Sequence, residues 1–161
     1  MPRHQYHLDL TQYTSSPSPL FPLSPLHLHH PTSADLSILA SLMLDAYTGT
    51  IDYDGETLED SMGEVQSYLN GASGELLLDC SWLCFDGETL ASAILISFWE
   101  GAPLVAYVMT SAGYKSRGLA RALLHKSLTS LKEQGHTQVL AFITEGNTPS
   151  EAIFKSIGFQ L

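Results

Sequence analysis

The hydrophobic period switches between helical and strand spacing along this chain, and the order of those switches limits the fold more than any other feature. From Leu36 to residue 70 the apolar residues recur at helical spacing. One stripe is Leu36, Leu39, Ala40, Met43 and Tyr47; the next is Leu58, Met62, Val65 and Leu69, ending at Asn70-Gly71. Thr32 and Asp35 match the [ST]-x-x-[DE] capping pattern ahead of the first stripe. From Ser81 the pattern is that of strands. Ser81–Phe85 and Thr89–Trp99 are expected to pair through a two-residue turn at Asp86-Gly87, and Leu104–Thr110 follows Gly101 and Pro103. Gly118–Gln134 returns to helical spacing with Ala120, Leu124, Leu128 and Leu131 inward, and Gly135 stops it. A strand over Gln138–Thr144 and a short helix over Pro149–Ser156 complete an α-α-β-β-β-α-β-α order. The fold class is α/β (α+β).

The N-terminal stretch reads differently. Residues 14–31 hold five prolines, which excludes a helix running through them. A strand is expected over Tyr6–Leu10. The Pro/Ser-rich segment after it is expected to wrap the domain, because Leu20, Phe21, Leu23, Leu26 and Leu28 are too apolar for a free linker. This divides the chain into an extended segment, 1–32, and a folded domain, 33–161. His27, His29 and His30 lack further ligands at helpful spacing and read as a surface cluster, so no metal is expected. The longest near-apolar run, Ala91–Trp99, falls far short of the roughly 20 residues of a membrane span. Arg3 is followed by no apolar h-region, which argues against a secretory leader. Cys80 and Cys84 are read on one strand, about 13 Å apart and too distant to bridge. They are expected as buried free thiols in a reducing cytoplasm.

Charge separates two regions. Seven Lys and Arg stand against 17 Asp and Glu, a net charge of −10 that argues against nucleic-acid binding. Residues 1–114 contain one base, Arg3, and 14 acids; residues 115–161 contain six bases and three acids. An anionic ligand held by the C-terminal part and a cationic one attracted by the rest would account for this asymmetry.

The junction Thr110–Ala122, TSAGYKSRGLARA, joins a strand to a helix. A helix N-terminus carries unpaired N–H groups and partial positive charge, and a turn before it can aim them at a phosphate. Gly118 permits close approach, and Lys115 and Arg117 add charge. The loop is neither GxGxxG nor GxxxxGK[ST]. Lys115-Ser116-Arg117-Gly118-Leu119-Ala120 resembles the (Q/R)-x-x-G-x-(G/A) motif of the GNAT-superfamily N-acetyltransferases, with Lys at its first position. Asn147, Phe154 and Gly158-Phe159 resemble the family's N-x6-Y-x3-G-F pattern, with Phe where Tyr is usual. The element order agrees over about residues 33–161.

The resemblance implies a mixed, mostly antiparallel sheet with helices on both faces and a splayed strand pair. It implies acetyl-CoA as cosubstrate and acetyl transfer to a primary amine. Backbone amides of Ser116–Ala120 would hold the pyrophosphate, Val108, Met109 and Thr110 the pantetheine arm, and Asn147 and Phe154 would lie beside that arm. A main-chain N–H near Met109 would serve the developing oxyanion. Phe154 has no hydroxyl, so the family's tyrosine acid does not carry over; Tyr107 and Tyr114 are the substitutes considered. Glu100 and Glu145 are the candidate bases, since Leu104–Thr110 holds no carboxylate. Seven acids and no base lie between Asp45 and Glu64. Asp52 and Asp54, in the loop between the first two helices, are therefore expected to attract a cationic acceptor, either a small molecule or a peptide amine. Neither nucleic acid nor membrane is expected as a partner. For the strands that relatives carry after Gly158-Phe159, three arrangements are open: a sheet without them, the N-terminal strand Tyr6–Leu10 at that edge, or a strand from a second copy in a homodimer. A non-catalytic acyl-CoA-binding module is the alternative reading.

Overall fold

The most apolar strand occupies the place where both faces are covered. In the computed structural model, which describes residues 2–14 and 25–161, β5 (Thr89–Trp99) is buried at every position from Leu90 to Ser97. Ala93 and Leu95 meet α1 (Leu36–Tyr47) and α2 (Leu58–Leu69) on one face. Ile94 and Ile96 meet α3 (Leu119–Glu133) and α4 (Thr148–Ile157) on the other. Each side chain points away from its neighbour along a strand, so one apolar run serves two cores.

The remaining strands are β1 (Arg3–Asp9), β2 (Leu26–His29), β3 (Glu75–Leu76), β4 (Trp82–Asp86), β6 (Ala102–Thr110) and β7 (Gln138–Thr144). The described residues form one seven-stranded sheet in the order β1-β7-β6-β5-β4-β2, with β3 added to β5. All pairings are antiparallel except β6 with β7. A mostly antiparallel mixed sheet covered by helices on both faces is the fold class expected from the sequence.

Local expectations met the structure unevenly. The Thr32–Asp35 capping box forms, but it caps a 3-10 turn, Ser33–Asp35, that leads into α1. The β4–β5 turn is Gly87-Glu88 rather than Asp86-Gly87, because Asp86 still pairs with Thr89 and Gly87 takes the positive φ of 59°. Cys80 lies in a 3-10 turn before β4 and not on that strand; both thiols are free and buried. Burial pushes Cys80 up to about 12 and Cys84 up to about 11, which keeps both unreactive.

Residues 3–9 occupy the sheet position beside β7, in register from Arg3 opposite Thr144 to Asp9 opposite Gln138. His7 and Gln160 exchange backbone hydrogen bonds on the outer edge of β1. Leu26–His29 is a regular strand on β4, and the His27 ring stacks on Phe85. Leu20, Phe21 and Leu23 lie outside the described residues. No described helix is long and apolar enough to cross a membrane. Among the described residues no group of three His, Cys, Asp or Glu side chains could hold a metal ion.

Candidate active site

The parallel pair β6–β7 is short. Leu104 pairs with Leu140 and Val105 with Ala141, and no pairing continues beyond them. The register of β6 on β5 slips at Ala106, which has no partner opposite. A cavity of about 460 Å³ opens where the strands part, lined by Leu104–Val108 of β6 and Ala141–Thr144 of β7.

The peptide groups of β6 show which way its hydrogen-bonding capacity points. Ser92 Oγ donates to the Met109 carbonyl, and the Ser111 N–H donates to the Ala91 carbonyl. Both peptide groups therefore turn toward β5. Successive residues of a strand turn to opposite edges, so Val108 and Thr110 turn theirs into the gap. Met109, named from the sequence as the oxyanion donor, has its own amide in the β5 ladder and its side chain 1% exposed. The amide facing the gap beside it is that of Val108.

The loop after β6 arrives with Ser116 at φ 64° and Gly118 at φ 82°, both left-handed, before α3 begins at Leu119. Among the described residues the amides of Gly118, Leu119 and Ala120 have no protein acceptor, and no side chain caps the helix. Lys115 is drawn away from these amides: its Nζ donates to the Ala46 carbonyl at the end of α1, 2.6 Å away. Arg117 lies over the Tyr114 ring at 5.1 Å, and Tyr114 Oη donates to Asp86 at 2.7 Å. Asp45 takes hydrogen bonds from Ser111 Oγ (2.6 Å) and the Ala112 N–H (2.8 Å), which hold its carboxyl below the usual carboxylate range. Asp45 and Lys115 thus fasten the loop to α1.

Side chains from four distant segments form the opposite wall. Asp52 accepts from Thr144 Oγ1 at 2.7 Å and Asn147 Nδ2 at 3.1 Å, which pins the α1–α2 loop to the end of β7. Asn147 Oδ1 caps α4 by accepting from the Ser150 N–H at 3.3 Å, so its whole amide is engaged with protein. Tyr107 Oη donates to Glu64 Oε1 at 2.8 Å. Burial, and then the charge of Glu64, push the Tyr107 hydroxyl far above the ordinary tyrosine value; Tyr47 is pushed up in the same order. Arg3 acts against both shifts from across the cavity. Phe154 also lines the cavity, packed edge-on against Phe159 with ring centres 4.9 Å apart.

Most of the residues read from sequence therefore gather at this cleft or at the loop beside it: Asp52, Tyr107, Val108, Asn147 and Phe154 line it. Asp54 and Glu100 do not. Asp54 is exposed, and its amide binds Glu56 Oε2 at 2.8 Å. Glu100 sits exposed at φ 47° in the β5–β6 turn, outside the lining. Glu145 carries a 3.9 Å contact to His4 at the surface. Sequence reasoning missed Glu64 and Arg3 as cleft residues. Glu64 shares a helix face with Ser61 and Tyr68, at i−3 and i+4, and both are buried. That placement was the available signal.

The profile of the acetyltransferase (GNAT) family matches residues 42–159. The chain belongs to the GNAT acetyltransferase family. Among solved structures, the GCN5-related N-acetyltransferase from Sphaerobacter thermophilus is similar with a TM-score of 0.72 and 15% identity; the match covers 97% of this chain and 47% of that one. This chain thus spans about half of that relative. The PaiA N-acetyltransferase from Thermoplasma acidophilum, solved in complex with coenzyme A, has a TM-score of 0.68 and 16% identity over 84% of this chain and 90% of that one. The ribosomal-protein-S18-alanine N-acetyltransferase from Escherichia coli has a TM-score of 0.66 and 14% identity over 84% and 77%. At these identities the likeness establishes the fold. No curated protein matches the chain by sequence. The family is one of acetyltransferases.

Proposed function

We propose that the protein transfers an acetyl group from acetyl-CoA to a primary amine that reaches the cleft as a cation. One observation carries the reading. β6 turns unpaired amides into a gap beside β7, and the loop that continues β6 ends in three free amides at the start of α3. A pantetheine arm has the hydrogen-bonding pattern of an extended strand and suits the first. A diphosphate suits the second. Gly118, Leu119 and Ala120 would hold the pyrophosphate, with Ser116 shaping the turn and Arg117 adding charge. Val108 and Thr110 would pair with the arm, and Phe154 would wall it. When bound, acetyl-CoA supplies the acyl group as a thioester open to attack by an amine.

The chain's own groups have three tasks. An ammonium must lose its proton, and Glu64, exposed to solvent and held in place by Tyr107, is the carboxylate placed to accept it directly or through one water. Negative charge developing on the acyl oxygen needs a fixed donor, and the Val108 amide is aimed into the gap. The raised Tyr107 hydroxyl stays protonated throughout the neutral range, so it acts as a donor. Asp52, Glu56 and Glu64 make the cleft attractive to a cation.

The test is incubation with acetyl-CoA and a panel of primary amines, following release of free thiol. Release with at least one amine is expected. Thermal stabilisation by CoA with no release on any amine would overturn the catalytic reading in favour of a binding module.

A further inference from the structure

Arg3 is the lone base among the first 114 residues, and β1 places it in the cleft. It stands opposite Thr144 in the β1–β7 register. Paired residues of an antiparallel ladder project from the same face. The Thr144 hydroxyl binds Asp52, so Arg3 shares the face that the α1–α2 loop covers. Three carboxylates line the same cavity, yet Arg3 forms neither an ion pair nor a hydrogen bond among the described residues. The carboxylates are otherwise engaged: Asp52 by Thr144 and Asn147, Glu56 by the Asp54 amide, and Glu64 by Tyr107.

A purely cationic acceptor, such as a diamine, would meet this guanidinium with repulsion. An acceptor that carries an anion near its amine would satisfy both signs. A single guanidinium among three carboxylates suits a monoanion; a dianionic phosphate would leave one of its charges uncompensated against those carboxylates. Two exposed aromatic rings, Phe142 at 41% and Tyr53 at 37%, line the same cavity, and Phe142 lies diagonal to Arg3 across the β1–β7 ladder.

We infer that the acceptor is zwitterionic: a primary amine whose molecule also carries a carboxylate, read by Arg3, with an apolar side chain resting on Phe142 and Tyr53. The inference rests on the acetyltransferase reading above and specifies its acceptor. The guanidinium is a specificity determinant, and the acids hold the ammonium before Glu64 removes its proton.

Matched pairs that differ only in the carboxylate test this: phenylalanine against phenethylamine, and lysine against cadaverine. The wild type should prefer the carboxylated member of a pair by roughly tenfold to a hundredfold in kcat/KM, the range of a charge-assisted hydrogen bond, and the difference should lie in KM. Arg3→Ala should collapse that ratio to near unity, and Arg3→Lys should restore part of it. Gln5→Ala, two residues along the same strand and outside the cavity lining, should leave the ratio intact. Arg3 is exposed, so folding is not at stake, and a thermal scan verifies this. Calorimetric titration of the same pairs into the CoA-bound protein gives a second readout. A wild-type ratio below about threefold, or a ratio kept in Arg3→Ala, overturns the inference while leaving the acetyltransferase reading in place. Absence of thiol release with every amine overturns that reading instead; carboxylate-dependent binding in the titration, lost in Arg3→Ala, would still support the zwitterion site, and its absence would end it.

Discussion

On the β6 side of the cleft the groups that face the gap are peptide amides: Val108 and Thr110 on the strand, Gly118 to Ala120 at the helix start. On the other side they are side chains, Arg3, Asp52, Glu64 and Asn147, drawn from β1, the α1–α2 loop, α2 and the start of α4. The first wall is one continuous stretch of chain, and its geometry is set by φ and ψ. The second exists only when four segments meet. A backbone wall tolerates many side-chain changes and fails when a dihedral is forced. A side-chain wall behaves in the opposite way, and acceptor preference can change there while the donor wall stays the same.

The largest effect that would sharpen this contrast is Glu64→Gln. Removing the carboxylate while keeping its shape should lower kcat/KM by about a hundredfold or more, the usual worth of a positioned base, with CoA affinity unchanged by calorimetry. A loss under threefold would move the base elsewhere and break the division of labour. Gly118→Ala is the matching change on the backbone wall. An L side chain at φ 82° costs about 1–2 kcal/mol, so CoA should bind about tenfold more weakly, while acceptor KM at saturating acetyl-CoA stays level. Equal weakening of both substrates would show that the walls are not independent.

Asp52→Asn is expected to do less. An amide there keeps its oxygen on Asn147 Nδ2 by turning its NH2 to the Thr144 hydroxyl, which exchanges charge-assisted bonds for neutral ones, costs about 1 kcal/mol and lowers Tm by about 3 °C. Acceptor KM should rise about fivefold, with CoA binding unaltered. The smallest effect concerns the brace between α1 and the loop. Ser111 Oγ first, then the Ala112 amide, lower the Asp45 carboxyl in the folded state relative to its ordinary value of 3.8. The contribution is therefore present above that value and lost as pH falls through the folded value. Asp45→Asn should lower Tm by no more than about 2 °C at neutral pH, and the gap to wild type should close as pH falls below the usual carboxylate range and the folded-state carboxyl takes up its proton. A gap that persists in acid would mean the brace acts through shape rather than charge.

Much of the fold was legible because the relevant signals are local. β5 and β7 have the bounds that period and turn residues indicated, and α2 runs from Leu58 to Leu69 as its stripe did. The donor loop was legible because Gly118, a strand and a helix start lie within a dozen residues. β2 was missed because prolines before it masked a four-residue strand whose partner, β4, lies more than 50 residues away. Glu64 was counted only as one of the seven acids from Asp45 to Glu64, since nothing near it in sequence announces Tyr107 as its partner. Glu100 looked close to β6 in sequence, but the hairpin turn carries it out of the cleft.

Arg3 marks the boundary between the two kinds of information. Its rarity among 14 acids could be counted, but not that β1 would take the place beside β7 and carry it to Asp52. Residue order alone settled the helices, most strands and the amides at the start of α3, because capping, period and positive φ act over a few residues. Folding decided the side-chain wall, because hydrogen bonds such as Thr144 to Asp52 and Tyr107 to Glu64 join residues 92 and 43 apart, and only the closed sheet brings them within reach.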